Sequence, residues 1–587
     1  METINHHADF CVVGGGLAGL CAALAAARAG ARTVLMQERP VLGGNASGEI
    51  RMWVCGAGNF RETGILEEIQ LESLYRNPYK LYPVWDSILY GKALAEERLT
   101  LLLNCTCCDA EMEGSSIRCV RGWQMTTQTW HNVYAHTFAD CSGDSVLAPL
   151  TGAEYRFGRE SAAEFGEDVS VTEPDRCTMG MSCLLQAREV ASPVAFKAPD
   201  WAAKLTAEDI ARRPPELDKS YENFWYLELG GDRDCIRDTE ELRNELLALA
   251  FGYWDYIKNS GEFDADRWQL DFVGFLPGKR ESRRMLGPVL MTQKDILAGG
   301  RFQDVVAYGG WGLDDHHPGG FRYAGPPNQS PPTPSPYGIP YRTLYSRNIG
   351  NLFFAGRNIS MTHAAMSSAR VMGTCALLGQ AVGEAAAMAA ALGESPDGIY
   401  RRHIRALQER LMWSDIYLPG LTRQVSALTR EAVLEAEDAD DAEHVRSGTD
   451  RDDIPGGAAF RCACRLGRSL TYRFPSPRPV EAVRLVFDSD LRRVTLPGDN
   501  IEREHTMRAN IRLDSPVMHM PLTLVKGFRL EVSGEDGGWS VLREETENIQ
   551  RLVIVPVGRR ANAVRLTPLA VWDENAEEAS VVSFELF

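Results

Sequence analysis

Three glycines near the start of the chain, Gly14, Gly16 and Gly19, stand in the spacing G-x-G-x-x-G between an apolar run and an alanine-rich stretch. No other feature limits the fold as much. Residues 9–13 read as a strand, 14–19 as a glycine turn, 17–30 as a helix stopped by Gly30, and 33–36 as a second strand ending near Glu38. Each glycine has its own reason in that context. Gly14 permits the tight turn, Gly16 lets backbone approach a diphosphate, and Gly19 lets helix and strand pack closely. The free N–H groups and the dipole at the helix N-terminus favour the anion. Glu38 lies 22 residues after Gly16, where a carboxylate accepts hydrogen bonds from ribose hydroxyls. The strand–turn–helix–strand–acid order predicts dinucleotide binding.

The rest of the chain is organised around that opening. At roughly 150 residues per domain, 587 residues make three or four modules. Helical patterns cover 62–76 and 86–97, and strand patterns 99–103, 116–126 and 133–139. Residues 1–152 are therefore read as the first part of the nucleotide-binding domain. Residues 153–308 are mixed, with a long helix at 239–259 and a strand at 270–275, and read as an inserted α+β substrate domain. Residues 309–340, rich in Gly, Pro and aromatics, read as an active-site loop. Residues 341–420 read as the returning segment, with a strand at 351–355 and a helix beginning near Arg370. Residues 421–455 contain EAEDADDAEH and read as a helical and acidic linker. Residues 456–587 carry short alternating runs separated by Gly, Pro and Asp, the pattern of an all-β sandwich or jelly roll. The whole is an α/β protein followed by an all-β domain.

Composition narrows the partners. The net charge of −18 argues against nucleic acid or an anionic membrane as the main partner, because both reward basic patches. Residues 375–392 are apolar, but Gln380 and Glu384 within them favour a buried amphipathic helix over a membrane span. The 14 cysteines show no zinc-ligand spacing, and Cys107 and Cys108 are adjacent and so point to opposite faces of a strand. Packed thiols and no visible signal peptide give the cytoplasm as the expected compartment and no metal as the expected content.

Several segments together resemble a known family: VVGGGLAGLCAALAAARAG, ER…LGGNASG, DCSGDSVLAPLTGAEYRFGRES, KRESRRMLG, YGGWGLDDHHPGG and NLFFAGRNISMTHAAMSSARVMGTCALLGQAVG. Over residues 8 to 415 the chain resembles the FAD-dependent oxidoreductases of the glutathione-reductase-like flavoproteins, in the bacterial branch often encoded beside carbohydrate-degrading enzymes. The resemblance implies FAD as cofactor. It places Gly14, Gly16, Gly19, Glu38, Gly43 and Gly44 with the ADP half, and Leu17, Ala18, Arg39, Asn45, Ser47, Arg51 and Cys107 among the residues that bind the cofactor. Ser142, Gly143 and Asp144 fall where the chain returns to the FAD domain. Gly356, Arg357, Met372, Gly373 and Thr374 fall along the ribityl chain and ring, where the helix N-terminus would face the N1/O2 edge of the flavin. The C-terminal sandwich resembles discoidin-like carbohydrate-binding modules, with a packing or dimerisation role as the competing expectation.

The chemistry expected is transfer of hydride from a hydroxylated carbon of a sugar, glycoside or sugar acid to the flavin N5, with a histidine as general base. His316 and His317, beside Asp314 and Asp315, are the first candidates, with no choice made between them. His363 is the second. Arg280 and Arg283, in a basic cluster with Lys279 and Arg284, are candidates for an anionic substrate group or for salt bridges to Glu281 and Asp271. Trp225, Trp254 and Trp311 fit either a sugar-stacking platform or core packing. Partners are then a carbohydrate-like small molecule, an electron acceptor that no motif identifies, and a second copy of the chain as an open option. Two other functions stand beside this one: a redox-neutral elimination through a transient keto intermediate, and carbohydrate binding on a flavin fold that does no chemistry.

Overall fold

The computed structural model describes residues 2–451, 454 and 461–587. The expected boundary at 455–456 lies outside the described residues. β1 (Glu2–Val13) lies inside a seven-stranded sheet whose order is β3 (Leu99–Leu102), β2 (Thr33–Met36), β1, β6 (Thr129–Asp140), β5 (Ser116–Gln124) and β4 (Cys105–Glu113). The ladder is parallel from β3 through to β6, and β5 and β4 turn back antiparallel. The end of β6 also pairs in parallel with Leu352–Phe354, so the returning segment adds its strand to the same sheet.

β1 is longer than the expected 9–13. Residues 2–8 are polar and mostly exposed, so no apolar alternation marks them, yet their backbone pairs with β6 from Glu2 on Thr129 to Ala8 on Ala135. The sequence marks β4 only through Cys107 and Cys108, placed on opposite faces of a strand, and gives it no bounds. Its alternation holds at Cys105 and Cys107, which are buried, against Cys108, which is exposed. All fourteen cysteines are free thiols.

α1 (Leu17–Arg28) is buried on nearly every side. The sheet covers one face. The helix Met372–Leu392 covers another, and there the backbones nearly touch: a Cβ on Gly379 would lie 2.0 Å from the Ala18 carbonyl oxygen, and one on Gly383 would lie 2.2 Å from that of Ala22. Only glycine permits this approach. Met372–Leu392 is long and apolar enough to cross a membrane by length and composition, and it is buried in this fold.

The chain divides into two compact units. The first comprises Met1–Ile65, Lys80–Gln408 and His505–Pro516. Within it, the helix Thr239–Asn259 packs Leu246, Tyr253, Trp254 and Ile257 into a separate apolar core with Met181, Leu185, Phe224 and Trp268. Three short strands form a small sheet in the order Glu228–Leu229, Met181–Ser182, Gly278–Lys279. His505–Pro516 also belongs to this unit: Asn510 accepts from the Ala187 N–H at 3.0 Å, and Ile511 bridges Arg188 in parallel. No periodicity marks this segment in the sequence.

The second unit comprises Leu66–Tyr79, Glu409–Glu504 and Val517–Phe587. It holds an eight-stranded antiparallel sheet in which the long strands Leu470–Phe487 and Leu552–Val571 pair along their length. The acidic segment expected as a linker is part of this unit. Val433–Ala436 pairs with residues 470–473, and the Asp450 carboxylate is held between Arg423 and Arg484. Glu435, Glu437 and Asp438 are exposed, so composition reports their solvation while backbone pairing, which composition does not show, fixes the segment.

Candidate functional site

The turn after β1 separates two kinds of glycine. A Cβ on Gly14 would sit 2.5 Å from the Cys141 backbone, and one on Gly19 would sit 1.8 Å from the Gly14 carbonyl oxygen. Packing alone demands glycine at both. At Gly16 the nearest atom is 3.9 Å away, and its φ of −62° suits any residue. The protein leaves open the space over Gly16, which is where a ligand backbone contact requires it. Gly43 and Gly44, both with positive φ, form the opposite edge, and the Gly43 N–H donates to the Gly15 carbonyl at 2.8 Å.

Several polar atoms around this groove are buried without a hydrogen-bond partner: Ser47 Oγ, Arg357 Nε, Asn358 Oδ1 and Thr374 Oγ1. Buried polar groups ordinarily find partners. A row of orphans leading from the ADP-side loop to the helix Met372–Leu392 fits a long polar cofactor such as FAD. Glu38 is half-exposed at the end of β2, 3.4 Å from Arg39. Leu17 and Ala18 form the first turn of α1. Asn45 donates to the Lys279 carbonyl at 3.0 Å. Asp144 accepts from Arg357, 2.6 Å, Lys279, 2.7 Å, and Ser282, 2.8 Å. The neighbouring Asp140 accepts from Ser142 and the Leu147 N–H.

Three expected residues are engaged elsewhere. The Arg51 guanidinium donates to Gln186 at 2.6 Å and lies 3.9 Å over the Phe272 ring, so it faces the insertion. Cys107 is enclosed beside the Cys11 thiol on β1. The Gly373 N–H donates to the Cys55 carbonyl at 2.7 Å, and the Glu62 carboxylate lies 2.9 Å from where a Gly373 Cβ would be. The chain's own acceptors therefore meet part of the first turn expected to face the ring. Thr374 remains unpartnered there.

The chemistry-bearing residues form a buried ionic chain in two parts, one on each side of a short strand. Asp315 and His316 are a short strand paired to Asn328–Gln329, so neighbours point to opposite sides. On one side His316 Nδ1 lies 2.6 Å from Glu228 and Nε2 lies 3.2 Å from Asp314, whose carboxylate also takes Arg370 at 2.7 Å and Asn328 at 2.5 Å. On the other side Asp315 lies 2.9 Å from His363 Nε2, and Glu281 lies 2.9 Å from His363 Nδ1. Arg284 then links Glu281, 3.3 Å, to Glu160, 3.1 Å. Burial opposes charge on His363, but the carboxylates of Glu281 and Asp315 outweigh it and push its pKa up to about 10. Burial likewise opposes ionisation of Asp314, yet His316 and Arg370 hold that carboxyl well below the usual range.

His317 is apart from the chain. It is exposed, stacks on Tyr323 at 3.5 Å and accepts from the Gly319 N–H. Arg280 is held by the Ser182 hydroxyl at 3.0 Å and the Trp225 carbonyl at 2.8 Å, and Arg283 lies over Tyr155. The basic cluster thus divides among separate partners and forms no single anion pocket, and Asp271 pairs with Arg188. Trp225 meets the His316 ring edge-on at 5.2 Å, while Trp254 is core. Glu160, Glu228 and Arg370 had no expectation from sequence. The signal for Glu228 is a lone charge in the apolar run WYLELGG. No group of three or more His, Cys, Asp or Glu suited to a metal ion occurs among the described residues.

The chain matches the solved family 32 carbohydrate-binding module from Streptococcus pneumoniae EndoD at 14% identity, covering 27% of this chain and 97% of that one, with a TM-score of 0.19. The family 32 module from C. perfringens NanJ, solved with galactose, matches at 10% identity over 28% and 97%, TM-score 0.19. L-proline dehydrogenase from P. horikoshii matches at 19% identity over 24% of each chain, TM-score 0.16. Among curated proteins there is no significant match. A sequence model described as FAD dependent oxidoreductase matches residues 9–411, more than half of the chain. With the glycine turn, the unpartnered groove and this match together, the chain belongs to the FAD-dependent oxidoreductase family, and its cofactor is FAD.

Proposed function

We propose that the enzyme oxidises a hydroxylated carbon of a sugar, glycoside or sugar acid, with His316 as the base that accepts the hydroxyl proton. When bound, FAD supplies the two-electron acceptor. The single observation that carries the reading is the 2.6 Å contact between Glu228 and His316 Nδ1. Such a contact keeps the Nδ1 proton in place and leaves Nε2 as the proton acceptor. Nε2 lies 3.2 Å from Asp314 Oδ2, the carboxylate beside which a proton taken up there would sit.

We also read the first unit as glutathione-reductase-like, on its parallel order and glycine turn, and the second as a discoidin-like sandwich. The substrate class is tested by anaerobic bleaching of the yellow protein across neutral sugars, glycosides and sugar acids. Bleaching by none of them, with flavin bound, excludes this substrate class.

A further inference from the structure

Lys279 comes from the inserted domain, on the short strand Gly278–Lys279 that pairs with Met181–Ser182. Two contacts tie it to the cofactor groove. Its carbonyl accepts from Asn45 at 3.0 Å, on the loop that includes Gly43 and Gly44, and its Nζ lies 2.7 Å from Asp144 Oδ2, on the loop that packs against Gly14. The lysine thus spans the two loops that flank the Gly14–Gly19 turn. Asp144 Oδ1 is at the same time 2.6 Å from Arg357, whose guanidinium packs directly against Gly143.

Two cations on one carboxylate leave one positive charge over. Arg283 adds another, since its guanidinium donates to the Asp144 carbonyl at 3.2 Å and to no carboxylate among the described residues. Asp140 does not supply the missing anion: its oxygens are engaged by Ser142, Leu147 and Asn358. Arg357 Nε is buried with no partner. A half-buried excess of positive charge favours a counter-anion.

We propose that Lys279 and Arg357, joined through Asp144, form a cationic clamp on the FAD diphosphate, and that the inserted domain thereby closes over the cofactor through Lys279. Charge-assisted bonds from both residues meet the phosphate oxygens, and the shared carboxylate fixes the spacing of the two cations.

The test uses full-length holoenzyme carrying Lys279→Gln or Lys279→Arg. The FAD dissociation constant is read from released flavin fluorescence at low and high KCl, and the flavin midpoint potential is measured alongside. The clamp predicts that Lys279→Gln weakens FAD binding tenfold or more at low salt and flattens its salt dependence. It also predicts that Lys279→Arg stays within threefold of wild type and that the potential is the same in all three proteins. Unchanged FAD affinity in Lys279→Gln overturns the proposal. So does a changed potential at unchanged affinity, which would put Lys279 against the ring instead. If Lys279→Gln does not fold, the salt dependence of FAD release in Lys279→Arg decides: a slope matching wild type supports the clamp, and a lost slope overturns it.

Discussion

His316 and His363 both have carboxylates at both ring nitrogens, yet their surroundings assign them different work. His363 has two contacts of 2.9 Å and lies at the start of the helix His363–Ala369, with its own N–H donating to Glu160 at 2.8 Å. It is a charged pin. Its pKa in the folded protein, about 10, lies above the ordinary 6.5. The stability it adds is fully present below pH 6.5 and is lost as the pH rises through 10. Thermal unfolding of wild type and His363→Gln between pH 7 and 10 should therefore show a wild-type advantage that shrinks toward pH 10. An advantage that grows with pH contradicts the assignment. Gly16 and Gly19 make a second contrast. Gly19→Ala is expected to prevent folding, because the added Cβ meets backbone at 1.8 Å. Gly16→Ala is expected to fold with a wild-type circular dichroism spectrum and to lose at least tenfold in FAD affinity. The comparison of spectrum with flavin content reads both outcomes.

At the scale of elements, the opening β-α-β was legible because period, glycine and acid agree over forty residues. Thr33–Met36 and Thr239–Asn259 lie where the sequence places them, since strong alternation and a long amphipathic face leave little choice. The polar start of β1, the strand Cys105–Glu113 and the strand Val433–Ala436 were not legible. Each is held by backbone pairing to a partner distant in sequence, which local composition does not report. The site was legible in part for the same reason. His316, Asp315 and His363 announce themselves by residue type, whereas Glu228 and Arg370 matter only because the fold brings them to Asp314 and His316. In the second unit, Asp450 sits buried between Arg423 and Arg484. Asp450→Ala leaves the buried Arg484 guanidinium without its carboxylate, while Arg423 keeps Glu585, and denaturant unfolding should show a loss of about 3 kcal/mol. A change below about 1 kcal/mol would contradict the burial of that network.

At the scale of the whole molecule, the chain order and the units do not coincide. The first unit takes His505–Pro516 from far along the sequence, where Gln186 donates to the Arg508 carbonyl at 2.9 Å and Asn510 accepts from Ala187. A protein truncated after Gln408 keeps Gly14, Gly16, Gly19, Gly43 and Gly44 and every residue of the ionic chain but loses this segment. It is expected to purify with a lower ratio of flavin to protein absorbance than the full chain. A full flavin complement after truncation would show that the segment is dispensable.

The central claim is that the fold makes His316, oriented by Glu228, the group that takes the substrate proton. Stopped-flow reduction of the bound flavin under anaerobic conditions, with a substrate found by bleaching, measures that step directly. His316→Ala should slow it by about 10²–10⁴-fold and Glu228→Gln by a smaller factor, while His317→Ala leaves it within about twofold of wild type. Reduction as fast in His316→Ala as in wild type, or a loss of rate in His317→Ala instead, would contradict the account.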